Sequence, residues 1–343
     1  MDITHCIQAI LSKAGNHIHG RDSEDSELTY SSIVEWKQVC GLLSVPPGGA
    51  TVDDGNDENV NNKSKNELAT QDENSQPKNI NDVDNNNKSK STGENNNVHD
   101  NNTTSSEPPN RKEWYQTGYE YWEDESNCPA TVDGVLGGFA SISQHDLKGS
   151  KKFLMDLKSE IRPELKFGRE ENGGAMTRAC ECGAGIGRVT KGLLLPLGLS
   201  QCDLIEPSPR LLSSAPAYLG ATYSSQCRFF CTGLQDFEPR PNTYDIIWIQ
   251  WVIGYLTDDD LVEFLKRCAL ALKSGGGVVV IKDNTCEEEA FIVDRDDASV
   301  VRSLPYVLGL VELAGMRVVY QRFQEGFPES IFPVPIIALK PKT

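Results

Sequence analysis

The stretch AMTRACECGAGIGRVTKGLL, residues 175–194, constrains this chain more than any other. A short strand-like run ends at Glu181, glycines follow at 183, 185 and 187, and a helical pattern opens behind them. Gly183 and Gly185 let the backbone turn tightly and approach a ligand, while Gly187 lets helix and sheet pack closely. The helix N-terminus beyond the loop favours a carboxylate or a phosphate. A strand, a glycine loop and a helix in this order are one unit of an α/β sheet that binds its ligand at the strands' carboxyl ends.

The rest of the chain from Lys112 repeats the alternation. Strands are expected at CDLIE (202–206), CRFFCT (227–232), YDIIWI (244–249) and GVVVIKD (277–283). Helices are expected near IGRVTKGLL, SPRLLSSAPAYL and DDDLVEFLKRCALAL, the last opening behind Thr257 with Asp258 to Asp260 in its first turn. A final helix, roughly Ala298 to Ala314, precedes RVVYQRF and VPIIAL, which suggest an antiparallel hairpin at one edge. The pattern implies a doubly wound, mostly parallel sheet of seven strands, covered by helices on both faces.

Composition sets the boundaries of this unit. Thr51 to Asn110 holds 17 asparagines and no aromatic residue, too little apolar surface to offset the entropy of ordering, so 51–111 reads as a disordered insertion. It separates a partly helical extension, 1–50, from a domain at 112–343. In the extension, SSIVEWKQVCGLL suits one amphipathic helix. The net charge of −17 argues against broad nucleic-acid binding and would attract a basic ligand. No run of 18 apolar residues exists to span a membrane, and the N-terminus is a poor signal peptide. Ten cysteines are scattered, with only Cys180 and Cys182 close together, so free thiols are expected and no metal site.

Glu206 ends the second strand about 20 residues after the loop, where an acid can accept both hydroxyls of a ribose. The spacing is G-x-G-x-G with Glu181 two residues ahead, rather than G-x-G-x-x-G, and no Tyr-x-x-x-Lys pair follows. This favours S-adenosylmethionine as cofactor over a nicotinamide dinucleotide, with Arg188 available to its methionine carboxylate.

Longer motifs add specificity. ECGAGIGRVTKGLLLPL, GLQDFEP, YDIIWIQWVIGYLTD, EFLKRC, VVIKDN and YEYWEDESNCPATVDGVLGGFASIS together closely resemble the α-N-terminal protein methyltransferases, over about Trp114 to Leu339. The resemblance implies a class I S-adenosylmethionine-dependent methyltransferase fold, Rossmann-like, with N-terminal helices forming a lid. It implies methylation of the α-amine of proteins beginning Xaa-Pro-Lys or Xaa-Pro-Arg. It carries cofactor contacts onto Gly183, Gly185, Arg188, Glu206 with Pro207 and Ser208 behind it, Leu234, Gln235 and Gln250. The substrate's second-residue proline would stack on Trp251 with Trp122 as the opposite wall, and TVDGVLGGF would cover the channel. Asn284, braced by Asp283, would orient the amine. Asp297 would accept its proton, and Asp294, one helical turn earlier, would meet the third-residue lysine.

Three positions depart from the family's pattern. Tyr255 stands where a histidine is usual, Phe332 where a tyrosine is expected, and Arg295 replaces an acid beside Asp294. A tyrosine with an ordinary pKa near 10 can donate or relay a proton but not take one at neutral pH, as a histidine can. Three rival readings follow: a methyltransferase of small-molecule amines, a catalytically weak module that binds basic N-termini, and an NAD oxidoreductase that keeps only the glycine loop. The resemblance further implies ribosomal and chromatin-associated substrates, a cytoplasmic and nuclear location, and a monomer.

Overall fold

The computed structural model describes residues 2–15, 17–24, 29, 30, 32, 35, 37, 38, 42, 110–165, 167 and 176–342. Residues 51–109 of the expected insertion, 51–111, and most of the helix expected at 31–43 lie outside the described residues, while Arg111 already opens a helix.

All seven expected strands of the main sheet form: β3 (Arg178–Cys182), β4 (Gln201–Glu206), β5 (Cys227–Cys231), β6 (Ile246–Gln250), β7 (Val278–Lys282), β10 (Met316–Phe323) and β11 (Pro335–Pro341). Their order across the sheet is β10-β11-β7-β6-β3-β4-β5. The five strands β3 to β7 run parallel, and β11 pairs antiparallel with both β7 and β10. The continuous apolar run of β6 has a simple cause. Ile247 and Ile249 face one core cluster, Ile246 and Trp248 the other, and both faces of the sheet are covered. Period-two alternation therefore survives, hidden because both sides are apolar.

Among the described residues, α1 (Ile3–Lys13) is followed by the α-helices α2 (Arg111–Glu123), α3 (Ser143–Asp156), α4 (Pro209–Ser224), α5 (Asp258–Ala271) and α6 (Leu304–Leu313). The Thr257 side chain accepts the Asp260 N–H and so caps α5, and Ser208 caps α4 by accepting from Leu211. The helix behind the glycine loop closes as a π-helical turn, Thr190–Leu194.

One element differs in kind from expectation. Residues 298–303 do not begin the last helix. Ser299–Arg302 is a strand, β9, paired antiparallel with β8 (Phe291–Asp294). The β-branched Val300 and Val301 favour extended backbone, and Pro305 in the first turn of α6 sets the helix start beyond them. Asp294 and Asp297 are thus not one helical turn apart; Asp294 ends β8 and Asp297 lies within the turn of a hairpin.

The described part of residues 1–44 belongs to one compact unit with residues 107–343. Strand β1 (Gly20–Asp22) pairs parallel with β8 and antiparallel with β2 (Thr29–Tyr30), giving a second sheet ordered β2-β1-β8-β9. Ile7 and Leu11 of α1 are fully buried in the core cluster that holds Leu310 of α6. A buried polar knot ties these layers. Asp258 accepts from Arg302 Nε at 2.9 Å and from the Tyr306 hydroxyl at 2.6 Å, with Lys37 Nζ at 2.6 Å. Arg302 also donates to the carbonyls of Ile253 and Leu256, and Lys37 to Thr4 Oγ1. Burial alone would raise the Asp258 carboxyl, but its two cations and its hydrogen bonds pull it down to about 2.

Candidate active site

A cavity of about 520 Å³ opens at the carboxyl ends of β3, β4 and β6. Its floor is the glycine loop. Gly183, Gly185 and Gly187 all take positive φ, at 69°, 52° and 84°. A Cβ at Gly183 would lie 2.8 Å from Val252 Cγ2, and one at Gly187 2.9 Å from Leu204 Cδ2, so side chains are excluded by packing as well as by conformation. The loop is pinned to β4 by the N–H groups of Gly183 and Ala184, which donate to the Ile205 carbonyl.

Glu206 lines the cavity at the tip of β4, followed by Pro207 and Ser208. Its carboxylate accepts the Gly185 N–H and the Ser208 N–H, each at 2.9 Å. Burial pushes its pKa up to about 7 against those two bonds. Leu234 and Gln235, after β5, supply the wall beyond it, and their carbonyls are held by Arg267. Arg188 also lines the cavity, though its guanidinium is already engaged, 2.7 Å from Asp146 Oδ2. Gln250 donates to Asp146 Oδ1 and accepts from the Trp248 indole, both at 2.8 Å. Two hydroxyl acceptors at a strand tip, an apolar wall and a buried guanidinium beside an uncluttered glycine loop suit the ribose, adenine and carboxylate of S-adenosylmethionine.

The mouth of the cavity is aromatic. Trp122 of α2 meets Tyr255 edge-on at 5.8 Å, and Trp251 lies across from them. Trp251 has φ of 51°, a left-handed conformation that costs about 1–3 kcal/mol in a non-glycine residue. Asp283 holds it there: Oδ2 accepts the N–H groups of Val252 and Ile253, and Oδ1 that of Asn284. Burial raises Asp283 to about 6. The Trp251 indole donates to Asn284 Oδ1 at 3.2 Å, so what Asn284 has left for a ligand is its N–H pair. The faces of Trp251 are not bare, with Arg188 5.6 Å from the ring and Phe327 stacked at 6.4 Å.

Tyr255 donates its hydroxyl to Asp297 Oδ2 at 3.0 Å. Burial, then the Asp297 charge, holds the Tyr255 pKa well above its ordinary range, so it is a donor throughout. Burial likewise raises Asp297, against hydrogen bonds from Ser299 and Tyr255, and the residue itself does not line the cavity. The hairpin β8–β9 is what brings Asp297 to this place. Asp294 sits at the end of β8, where it caps the turn by accepting the Asp296 N–H. Neither Phe332, which is exposed, nor Asp283, Asn284, Asp294 or Asp297 lines the cavity itself. The TVDGVLGGF segment covers the glycine loop through Val135. Gly134 is obligatory there because a Cβ would fall 1.9 Å from the Pro129 carbonyl oxygen.

Sequence reasoning missed the charged layer beneath the site. Lys282 and Asp146 are both fully buried, 2.5 Å apart, and Lys282 is lowered to about 8 by burial. The signal was a lysine ending the otherwise apolar strand VVVIK. Glu181 was seen only as part of a motif. It accepts the Val189 and Thr190 N–H groups and so caps the helix behind the loop.

Known proteins share this arrangement. The profile of the AdoMet-dependent proline di-methyltransferase family matches residues 110–340. Two relatives, both called N-terminal Xaa-Pro-Lys N-methyltransferase 1, come from Xenopus tropicalis and Danio rerio. They are 45% and 46% identical over 228 and 226 residues, which is 66% of this chain and 96% and 95% of theirs. A solved S-adenosylmethionine-dependent methyltransferase from Leishmania major superposes with a TM-score of 0.64 at 30% identity, covering 94% of this chain and 96% of its own. Because the match runs the length of the catalytic unit and not its glycine loop alone, this chain belongs to the family of AdoMet-dependent proline di-methyltransferases.

Proposed function

We propose that this enzyme methylates the α-amine of proteins that begin Xaa-Pro-Lys or Xaa-Pro-Arg. The observation that carries the reading is a cavity lined by Trp122, Trp251 and Tyr255, with the Tyr255 hydroxyl donating to Asp297, which lies outside the lining. When bound, S-adenosylmethionine supplies an electrophilic methyl on sulfur. The protein must then bring a neutral amine in line with it and exclude water. A free α-amine has a pKa near 7.7–8.0, so only about a tenth is neutral at pH 7. Asp297, hydrogen-bonded by Tyr255 and Ser299, is the carboxylate that accepts the proton the amine must lose. Asn284 orients the N-terminus with its N–H groups, and the indoles hold the proline ring. Asp294 offers a carboxylate to the third residue. The chain's negative charge favours the same basic peptides.

The names of the relatives support this substrate class. The reading extends to ribosomal and chromatin-associated proteins with such N-termini, in cytoplasm and nucleus, with the enzyme acting as a monomer. Incubation with labelled S-adenosylmethionine and a Ser-Pro-Lys peptide tests it. Label should enter the free peptide and not the same peptide acetylated at its N-terminus; equal labelling of both, or of neither, ends the proposal.

Glu206 gives a second check on the cofactor site. Glu206→Ala should weaken S-adenosylmethionine binding by about 1.5–3 kcal/mol, the scale of hydrogen bonds to a charged group. Calorimetric affinity unchanged from wild type would place the ribose elsewhere. In the wild type, hydroxyl donors favour the ionised carboxylate. With Glu206 raised to about 7, cofactor affinity should therefore rise between about pH 6 and pH 8, and Glu206→Gln should flatten that rise.

A further inference from the structure

The turn between β8 and β9 reads Asp294-Arg295-Asp296-Asp297, one cation among three carboxylates. Its carboxylates act on both sides: after burial, Asp297 and Asp294 raise the Tyr121 hydroxyl of α2, and a hydrogen bond with Asp296 raises Glu24, two residues beyond β1, to about 7. Arg295 is drawn to the N-terminal side. Its Nε lies 2.7 Å from Asp22 Oδ2, and its Nη2 donates to the Tyr30 hydroxyl at 3.3 Å. Both partners belong to the N-terminal strands, outside the 110–340 segment that matches the family. Asp22 is fixed where it stands: it is 2% exposed, accepts the Glu24 N–H, and lies opposite Val293 in the β1–β8 register.

We propose that Asp22 is a specificity-positioning residue. By holding the Arg295 guanidinium on the N-terminal sheet, it leaves the Asp294 side of the turn negative and so favours peptides with a cationic third residue. Arg295 is a long side chain, 45% exposed, next to Asp294 and Asp296 in sequence. Released from Asp22, it can fold over those carboxylates and cancel the field that a substrate lysine meets. An ion pair at such a half-exposed site is worth up to about 1 kcal/mol, roughly a fivefold change in binding.

The inference rests on the proposed function, and kinetics with three peptides keeps the two apart. Wild-type turnover of free Ser-Pro-Lys but not of acetylated peptide is the test of function. If the wild type turns over neither, the function and this inference both fall. Given that turnover, Asp22→Asn should raise KM for Ser-Pro-Lys about fivefold with kcat within about twofold, and change KM for Ser-Pro-Gln by less than about twofold. Adding Arg295→Gln to Asp22→Asn should bring the Ser-Pro-Lys KM back to within about twofold of wild type, because the freed cation is gone. A merely structural Asp22 would depress both peptides alike and would not be rescued by the second change; either result overturns the proposal.

Discussion

Asp297→Asn is expected to lower turnover of a Ser-Pro-Lys peptide by about 10²–10⁴-fold, the usual contribution of a positioned acid or base. Peptide affinity should stay within about twofold. The amide keeps the shape of the carboxylate and can still accept the Tyr255 hydroxyl through its oxygen, so the hairpin need not move. What it loses is the ability to accept a proton. Single-turnover rates with a separately measured peptide Kd decide the matter; a rate within tenfold of wild type would remove Asp297 from the chemistry. Tyr255→Phe should cost far less, about 0.5–1.5 kcal/mol for one hydrogen-bond donor.

The second large effect is on stability. Asp258→Ala should lower the unfolding free energy by about 3–5 kcal/mol, since it strips the carboxylate from two buried cations, Lys37 and Arg302. Denaturant melts compare the variants directly, and a loss under about 1 kcal/mol would show that the knot is not a unit. The pH dependence has a definite sign. The Asp258 carboxyl is depressed from an ordinary 3.8 to about 2, so its stabilisation is complete above about pH 4 and is lost as pH falls towards 2. Activity should suffer with stability here, because Arg302 holds the carbonyls of Ile253 and Leu256 on either side of Tyr255.

The main sheet was legible because its strands are apolar, β-branched and punctuated by glycine or a capping residue, all local signals. The glycine loop and Glu206 were legible for the same reason, and the two indoles through the resemblance of longer motifs. The hairpin β8–β9 was not. Four-residue strands give too few residues for a period, and DRDDASVVRSLPYVL carries helix-like spacing on its apolar positions. The pairing of β1 with β8 had no local signal at all, since each strand supplies only half of a short ladder. Buried charge is hidden in the same way. Asp146 reads as a helix-surface acid until Lys282, 136 residues later, is seen donating to its backbone and meeting its carboxylate. Phe332, like Asn284, Asp294 and Asp297, is a position inferred from a family pattern that lies outside the cavity lining.

The parallel pairing of β1 with β8 also sets an order of events during synthesis. Asp22 leaves the ribosome about 270 residues ahead of its partner Val293. At roughly 5–20 residues per second, that is a wait of about 15–55 s. Through all of it the buried face of α1, with Ile7 and Leu11, has no core to enter, because α6 is made later still. The buried face of α1 must be shielded by other means until β8 and α6 arrive, and the hairpin that carries Asp297 is completed only by a strand made far ahead of it.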